Sequence, residues 1–205
     1  VGGPTADHYG THMIIEGSDQ PFIVHIPGFN GYLSTRFFID EHLWRSTGIF
    51  TYSYEEIASV ESIQPNDKKN SFKVYKYDDN QFKLESLSDH KEIKSFDSLA
   101  VKHFIAFFKD IHFQALLNNF DENRKDSILN TAPYYILKVE NIAGETTEIK
   151  TFLMPNFENY QDNEGNPLEY DPNMLYGLID NKDFVSVQYK VFDPLFRDLN
   201  EFVVR

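Results

Sequence analysis

The chain has 205 residues, with 19 Lys and Arg against 32 Asp and Glu, a formal net charge of -13 and no Cys. That charge repels a phosphate backbone, which Lys and Arg bind by displacing counterions, so nucleic acid is set aside as a partner. The missing Cys removes disulfides, thiolate metal ligands and thiol nucleophiles together, and no apolar run approaches the roughly 18 to 20 residues of a membrane helix.

In chain order, His12 to Glu16 and Phe22 to Ile26 are short apolar runs across Gly17-Ser18-Asp19-Gln20-Pro21, which predicts strand, turn, strand. Pro27-Gly28-Phe29-Asn30-Gly31-Tyr32 is an irregular loop of glycines and aromatics, and Asp40 caps a single helical turn over Glu41 to Arg45. Ile57 to Ile63 reads as a strand. Phe72 to Tyr77 and Phe82 to Leu84 form a hairpin in which Asp79 and Asn80 are expected to take positive φ. One long central helix is predicted from about Ser98 to Asn118 with Asp97 as N-cap, because Val101, Phe104, Ile105, Phe108, Ile111, Ala115 and Leu116 keep three-and-four spacing. After a polar stretch with one helical turn, Tyr134 to Glu140 and Thr146 to Met154 make a second hairpin. A long acidic loop from Asn156 to Pro172 leads to strands at Met174 to Ile179 and Phe184 to Tyr189. Asp193-Pro194 opens a short C-terminal helix with Asp as its cap. The expected class is α+β with mainly antiparallel sheets.

His12 to Arg45 and Asn173 to Arg197 follow one script, a hairpin and then a turn ending in Leu, an aromatic residue and Arg. Chance likeness of two hairpins and an internal duplication both account for this. The chain is accordingly read as a single domain, 1–205, of two related and packed β-rich halves, about 1–125 and 126–205. The first copy carries an insertion from Pro27 to Phe37, the kind of segment where function lodges on a duplicated scaffold.

His8 and His12 stand four apart, but on an extended strand that is about 13 Å, too far for one metal ion. Asp162, Glu164 and Asp171 belong to an oxygen-rich loop around Gly165 that resembles a calcium loop in composition. Aligning Gly165 with the glycine of an EF-hand puts Tyr160 at the first ligand position, so that pattern fails and a solvated acidic loop is the simpler reading. There is no Gly-x-Ser-x-Gly elbow and no phosphate-cradling loop, so neither an enzyme nor a cofactor is expected. Phe29, Tyr32, Arg36 and Trp44 remain, flat rings and a guanidinium of the kind that dominates interfaces. Against that stands the reading in which Phe29 and Tyr32 fold back to plug the end of a sheet.

Gly10-Thr11, Pro21-Phe22-Ile23-Val24, Ile26-Pro27-Gly28-Phe29-x-Gly31-Tyr32-Leu33, Trp44-Arg45, Val187-Gln188 and Val191-Phe192-Asp193 resemble an uncharacterised family of Bacteroidetes-type cell-envelope proteins. These carry a domain of unknown function behind an N-terminal membrane anchor, and their broader relatives are similar to auxiliary subunits of ABC-type transport or gliding machinery. The resemblance implies β-β-α units and an extracytoplasmic, tethered location, and it assigns no functional residues. Val1-Gly2-Gly3-Pro4 reads as mid-chain text, so an upstream anchor and first strands are expected. The resulting expectation is a noncatalytic binding or scaffolding domain that meets a protein partner in the envelope. The alternative is a surface glycan-binding or glycan-processing module.

Overall fold

The structure is a computed structural model that describes residues 1–37 and 44–204. The chain divides into two compact units, Val1–Ser46 and Thr47–Arg205.

In the second unit a nine-stranded antiparallel sheet is built from two meanders. The first comprises β4 (Ile57–Ile63), β5 (Phe72–Lys76), β6 (Phe82–Ser86) and β7 (Lys91–Ile93). The second comprises β10 (Tyr135–Asn141), β11 (Thr146–Pro155), β12 (Tyr170–Ile179) and β13 (Asp183–Gln188). They join side by side through β4 and β10, with Val60 opposite Val139. β9 (Ala115–Leu116) extends the far edge along β13, and β3 (Gly48–Phe50) pairs separately with β8 (Ile111–His112). Each meander is followed by a helix, α1 (Ser98–Ala106) after the first and α3 (Tyr189–Phe192) after the second.

Alternation along the strands decides what is buried. Val60, Phe72, Val74, Leu84, Leu137, Val139, Ile149, Leu175, Val185 and Val187 point to one face, where Val101, Phe104, Ile105, Phe108, Phe192 and Leu195 cover them. On the other face of the first meander, Lys73 meets Glu61 at 2.8 Å and Lys83 meets Glu85 at 2.9 Å, and both lysines flank the Tyr75 ring. Along β11 to β13 the second face is buried as well, by Phe152, Tyr176, Leu178 and Phe184 under Leu117, Phe120, Ile128 and Leu129. Strands covered on both sides need near-continuous apolar sequence, which is how Met174 to Ile179 reads.

The long central helix is corrected. α1 ends at Ala106, a 3-10 turn carries Phe107–Lys109, and Asp110 adopts φ -148. From Ile111 the chain serves as strand partner to β3 and then to β13. Ile111 and Phe113 are buried around exposed His112, a period of two. Phe104, Phe108 and Ile111 keep helical spacing, but the helix ends before Ile111, and Ala115 at the next helical position is exposed. Asp97 does cap the helix, accepting from the amides of Leu99 at 2.9 Å and Ala100 at 3.0 Å. The polar turn after it is a full helix, α2 (Glu122–Leu129), capped by Asp121.

Two smaller expectations also change. Asp79 and Asn80 are not among the residues with positive φ; Asp78 instead closes that turn, its Oδ1 accepting from Asn80 N and Gln81 N, both at 2.9 Å. The left-handed pair is Asp180 and Asn181, at φ 49 and 54 between β12 and β13. Asp193 is not the N-cap of a final helix, since α3 starts at Tyr189 with Asp193 at its C-cap, and Asp193–Leu195 forms a following 3-10 turn with Pro194 at its start. Of the expected turn at Asp40 to Arg45, Asp40, Glu41, His42 and Leu43 lie outside the described residues.

The first unit contains β1 (Thr11–Met13) and β2 (Phe22–Val24), paired antiparallel with Thr11 opposite Val24. The Gly2–Gly3 segment lies along β1, with Gly2 N donating to His12 O at 2.7 Å and His12 N donating to Gly3 O at 3.0 Å. Among its described residues Leu33 is the one buried hydrophobic side chain, and its amide donates to the Oγ1 of buried Thr11 at 2.6 Å. The hairpins at His12 and at Asn173 differ in burial, because Phe22, Ile23 and Val24 are all exposed whereas Phe184, Val185 and Val187 are not.

Phe104→Ala removes a ring packed against Phe72, Phe108 and Phe202, and urea denaturation is expected to show a loss of about 3 to 5 kcal/mol. Hydrogen exchange will separate the units: amides of Thr11–Val24 should exchange through small local openings, those of β10 to β13 only near global unfolding. Equal protection in both would contradict the scant apolar burial among the described residues of Val1–Ser46.

Candidate binding groove

The site is assembled from residues just before β1 and just after β2. Because Thr11 faces Val24, the hairpin register carries Gly10 towards His25 and Tyr9 towards Ile26. Before β1 the chain makes a tight turn. Thr5 Oγ1 donates to Asp7 Oδ1 at 2.5 Å, Tyr9 N donates to the same oxygen at 3.1 Å, and Gly10 N donates to Thr5 Oγ1 at 3.0 Å. His8 takes φ 62 within it. Gly10 is required here, since a Cβ would sit 2.6 Å from Ile23 Cγ2. After β2, Phe29 N donates to Ile26 O at 3.0 Å and turns the chain back.

Between these two turns lies an open groove of about 560 Å³ with Asp7, Tyr9, Ile23, His25, Phe29 and Asn30 among its lining residues. Its walls are mostly apolar, and its volume falls in the range of ligand sites. Asp7 holds its negative charge to unusually low pH, because the Thr5 hydroxyl and then the Tyr9 amide bond its ionised form.

Of the four loop residues singled out in the sequence, two come together. The Arg36 guanidinium lies 5.0 Å over the Phe29 ring. Gly31 permits this placement, because a Cβ there would come within 2.9 Å of the ring. Tyr32 turns to His8 instead, with ring centroids 5.9 Å apart. Trp44 is 63% exposed and is not among the groove's lining residues. Phe29 at 37% and Tyr32 at 36% are both exposed, so neither ring is a core plug.

The groove also draws on Asp7, Tyr9, His25 and Asn30, which sequence reasoning passed over. Extending the hairpin register by two residues beyond Thr11 and Val24 would have found two of them, Tyr9 and His25.

In the acidic loop, Asp162 accepts from Glu164 N at 2.8 Å and Asn166 N at 2.9 Å, bonds that hold its carboxyl below the usual range. Asp171, 8% exposed, accepts from Asn173 N at 2.7 Å and Met174 N at 3.0 Å. These two carboxylates close turns. Glu164 does not join them: among the described residues no three His, Asp or Glu side chains gather at one metal position. In the second unit, burial pushes the Tyr135 and Tyr189 hydroxyls well above their ordinary value, and Tyr189 pairs with Tyr134 at 3.0 Å in a packed aromatic cluster with Phe196. No family model, curated protein or solved structure matches the chain.

Gly31→Ala should push the Phe29 ring off Arg36, read as a loss of ring-current shift on the Arg36 side chain with the fold unchanged. The folded Asp7 carboxyl value is lowered, so its support of the Thr5–Gly10 turn is complete above the unfolded value and is lost as pH falls through the folded one. A carboxyl NMR titration should therefore place the Asp7 midpoint below 3.8. A midpoint at or above that value would show that the turn bonds are absent in solution.

Proposed function

We propose that the chain is a noncatalytic binding domain that takes a protein partner in the groove of the Val1–Ser46 unit. The observation that carries this reading is the groove itself, an apolar recess in a unit that has one buried hydrophobic side chain among its described residues and has Ile14, Ile15, Phe22, Ile23 and Phe29 exposed. A unit this small, which buries so little, gains most by covering that surface with a partner. The groove's titratable groups favour binding over chemistry. Asp7 is its single carboxylate, so no carboxylate pair faces a substrate there, and His25 has no hydrogen-bonded partner among the described residues to orient it. The envelope location and the tether are part of the proposal through the resemblance alone.

A glycan reading keeps one observation in its favour: the Tyr9 and Phe29 rings stand in the same recess as the polar ends of Asp7, His25 and Asn30. Affinity capture from an envelope extract separates the two. Wild-type chain should retain a ligand at least about tenfold better than a Tyr9→Ala, Phe29→Ala variant, since truncating central aromatics costs that much or more. Both side chains are exposed, so thermal unfolding should be nearly unchanged. Protease treatment of the extract abolishes capture of a protein and glycosidase treatment that of a glycan. Equal capture by wild type and variant would remove the groove from the function.

A further inference from the structure

Charge is distributed unevenly within the first unit. It holds two Lys or Arg, Arg36 and Arg45, against five Asp or Glu, and the chain as a whole carries -13. The groove is lined by one carboxylate and by no Lys or Arg. Asp7 Oδ1 is filled by Thr5 and Tyr9, while Asp7 Oδ2 accepts no hydrogen bond among the described residues. Arg36 occupies a face of Phe29 without lining the groove. A ligand cation is thereby directed to Asp7, away from that ring.

From this arrangement we infer that the occupant is a peptide segment bearing a Lys or Arg side chain, its cation on Asp7 Oδ2 and its neighbouring apolar residues against Tyr9, Ile23 and Phe29. This rests on the groove being the binding site and adds the chemistry of what fills it. The recess of about 560 Å³ accommodates an extended segment with one long side chain and an apolar neighbour on either side. An acidic peptide meets uncompensated negative charge. A neutral one leaves the open oxygen of Asp7 without a cation.

Three fluorescein-labelled seven-residue peptides, Leu alternating with Lys, with Ser or with Glu, test this by anisotropy against the full chain. The Lys peptide is expected to bind at least about tenfold tighter than the Ser peptide, with the Glu peptide weakest. Asp7→Asn keeps a side-chain carbonyl to accept from Thr5 and Tyr9 while removing the charge. It should weaken the Lys peptide about fivefold, the scale of an exposed ion pair, and leave the Ser peptide unchanged. Phe29→Ala should weaken both by about tenfold. Nonspecific attraction to an acidic protein would survive Asp7→Asn, so wild-type affinity in that variant overturns the inference. Equal binding of all three peptides that is still lost in Phe29→Ala overturns the cation requirement and leaves the groove standing. Indifference to Phe29→Ala overturns both. Sedimentation that shows a dimer abolished by Phe29→Ala gives the groove to a second copy and likewise overturns the inference.

Discussion

Phe72, Phe104 and Phe202 meet with ring centroids 5.1 to 5.5 Å apart, and the Thr47–Arg205 unit is organised around that contact. One ring comes from the first meander, one from α1 and one from the end of the chain, so three distant stretches of sequence are fixed by a single cluster. Tilted and edge-on rings at such distances add to the gain from burial alone. The backbone repeats the link, with Asp97 N donating to Phe202 O at 2.8 Å and Phe96 bridged to Val203. Phe108 continues the cluster to Phe50 on β3. A nine-stranded sheet would otherwise leave its whole inner face in water, and this spine of phenylalanines lets short helices cover it.

The Val1–Ser46 unit is built on the opposite principle. Among its described residues, order comes from turns and backbone pairing, with Asp7, Thr5 and Thr11 held in hydrogen bonds and Leu33 the one buried hydrophobic side chain. Apolar side chains that a core would absorb stay at the surface. Such a unit is poorly suited to holding reacting groups in fixed geometry, where supporting contacts must lock each rotamer. It suits recognition, in which the exposed area itself supplies the affinity once covered.

Much of the second unit was legible because its strands obey the two simple patterns. β4, β5 and β10 alternate, and Met174 to Ile179 of β12 runs nearly continuously apolar, as half-buried and fully buried strands do. The end of α1 was hidden because Ile111 keeps the helical spacing of Phe104 and Phe108, and only the need of β3 and β13 for partners selects the strand. α2 was nearly invisible for a different reason: of Glu122–Leu129 only Ile128 and Leu129 reach the sheet, so the helix lacks a stripe. In the groove, Phe29 was legible from loop composition, as was Arg36 beside it. Tyr9 and His25 were not, because their proximity is a product of the β1–β2 register, and Asp7 is placed by the turn before β1.

The arrangement of the groove shows how a loop so rich in glycine can still be held in one shape. Loss of backbone and side-chain freedom on binding is the main cost a flexible site bears. Here that freedom is already restricted on both sides: Asp7 and Gly10 fix the turn before β1, and Gly31 lets Arg36 and Phe29 settle against each other after β2. The glycines act by close approach, admitting a side chain where a Cβ would stand, so they tighten the site and do not loosen it. The same two turns leave a single carboxylate oxygen open beside apolar walls, and a pre-set charge in an uncharged recess discriminates between ligands more than it adds to their affinity. On the proposed reading, selectivity in this unit derives from where Asp7 is held, and Asp7 is held by a threonine two residues before it and an amide two residues after.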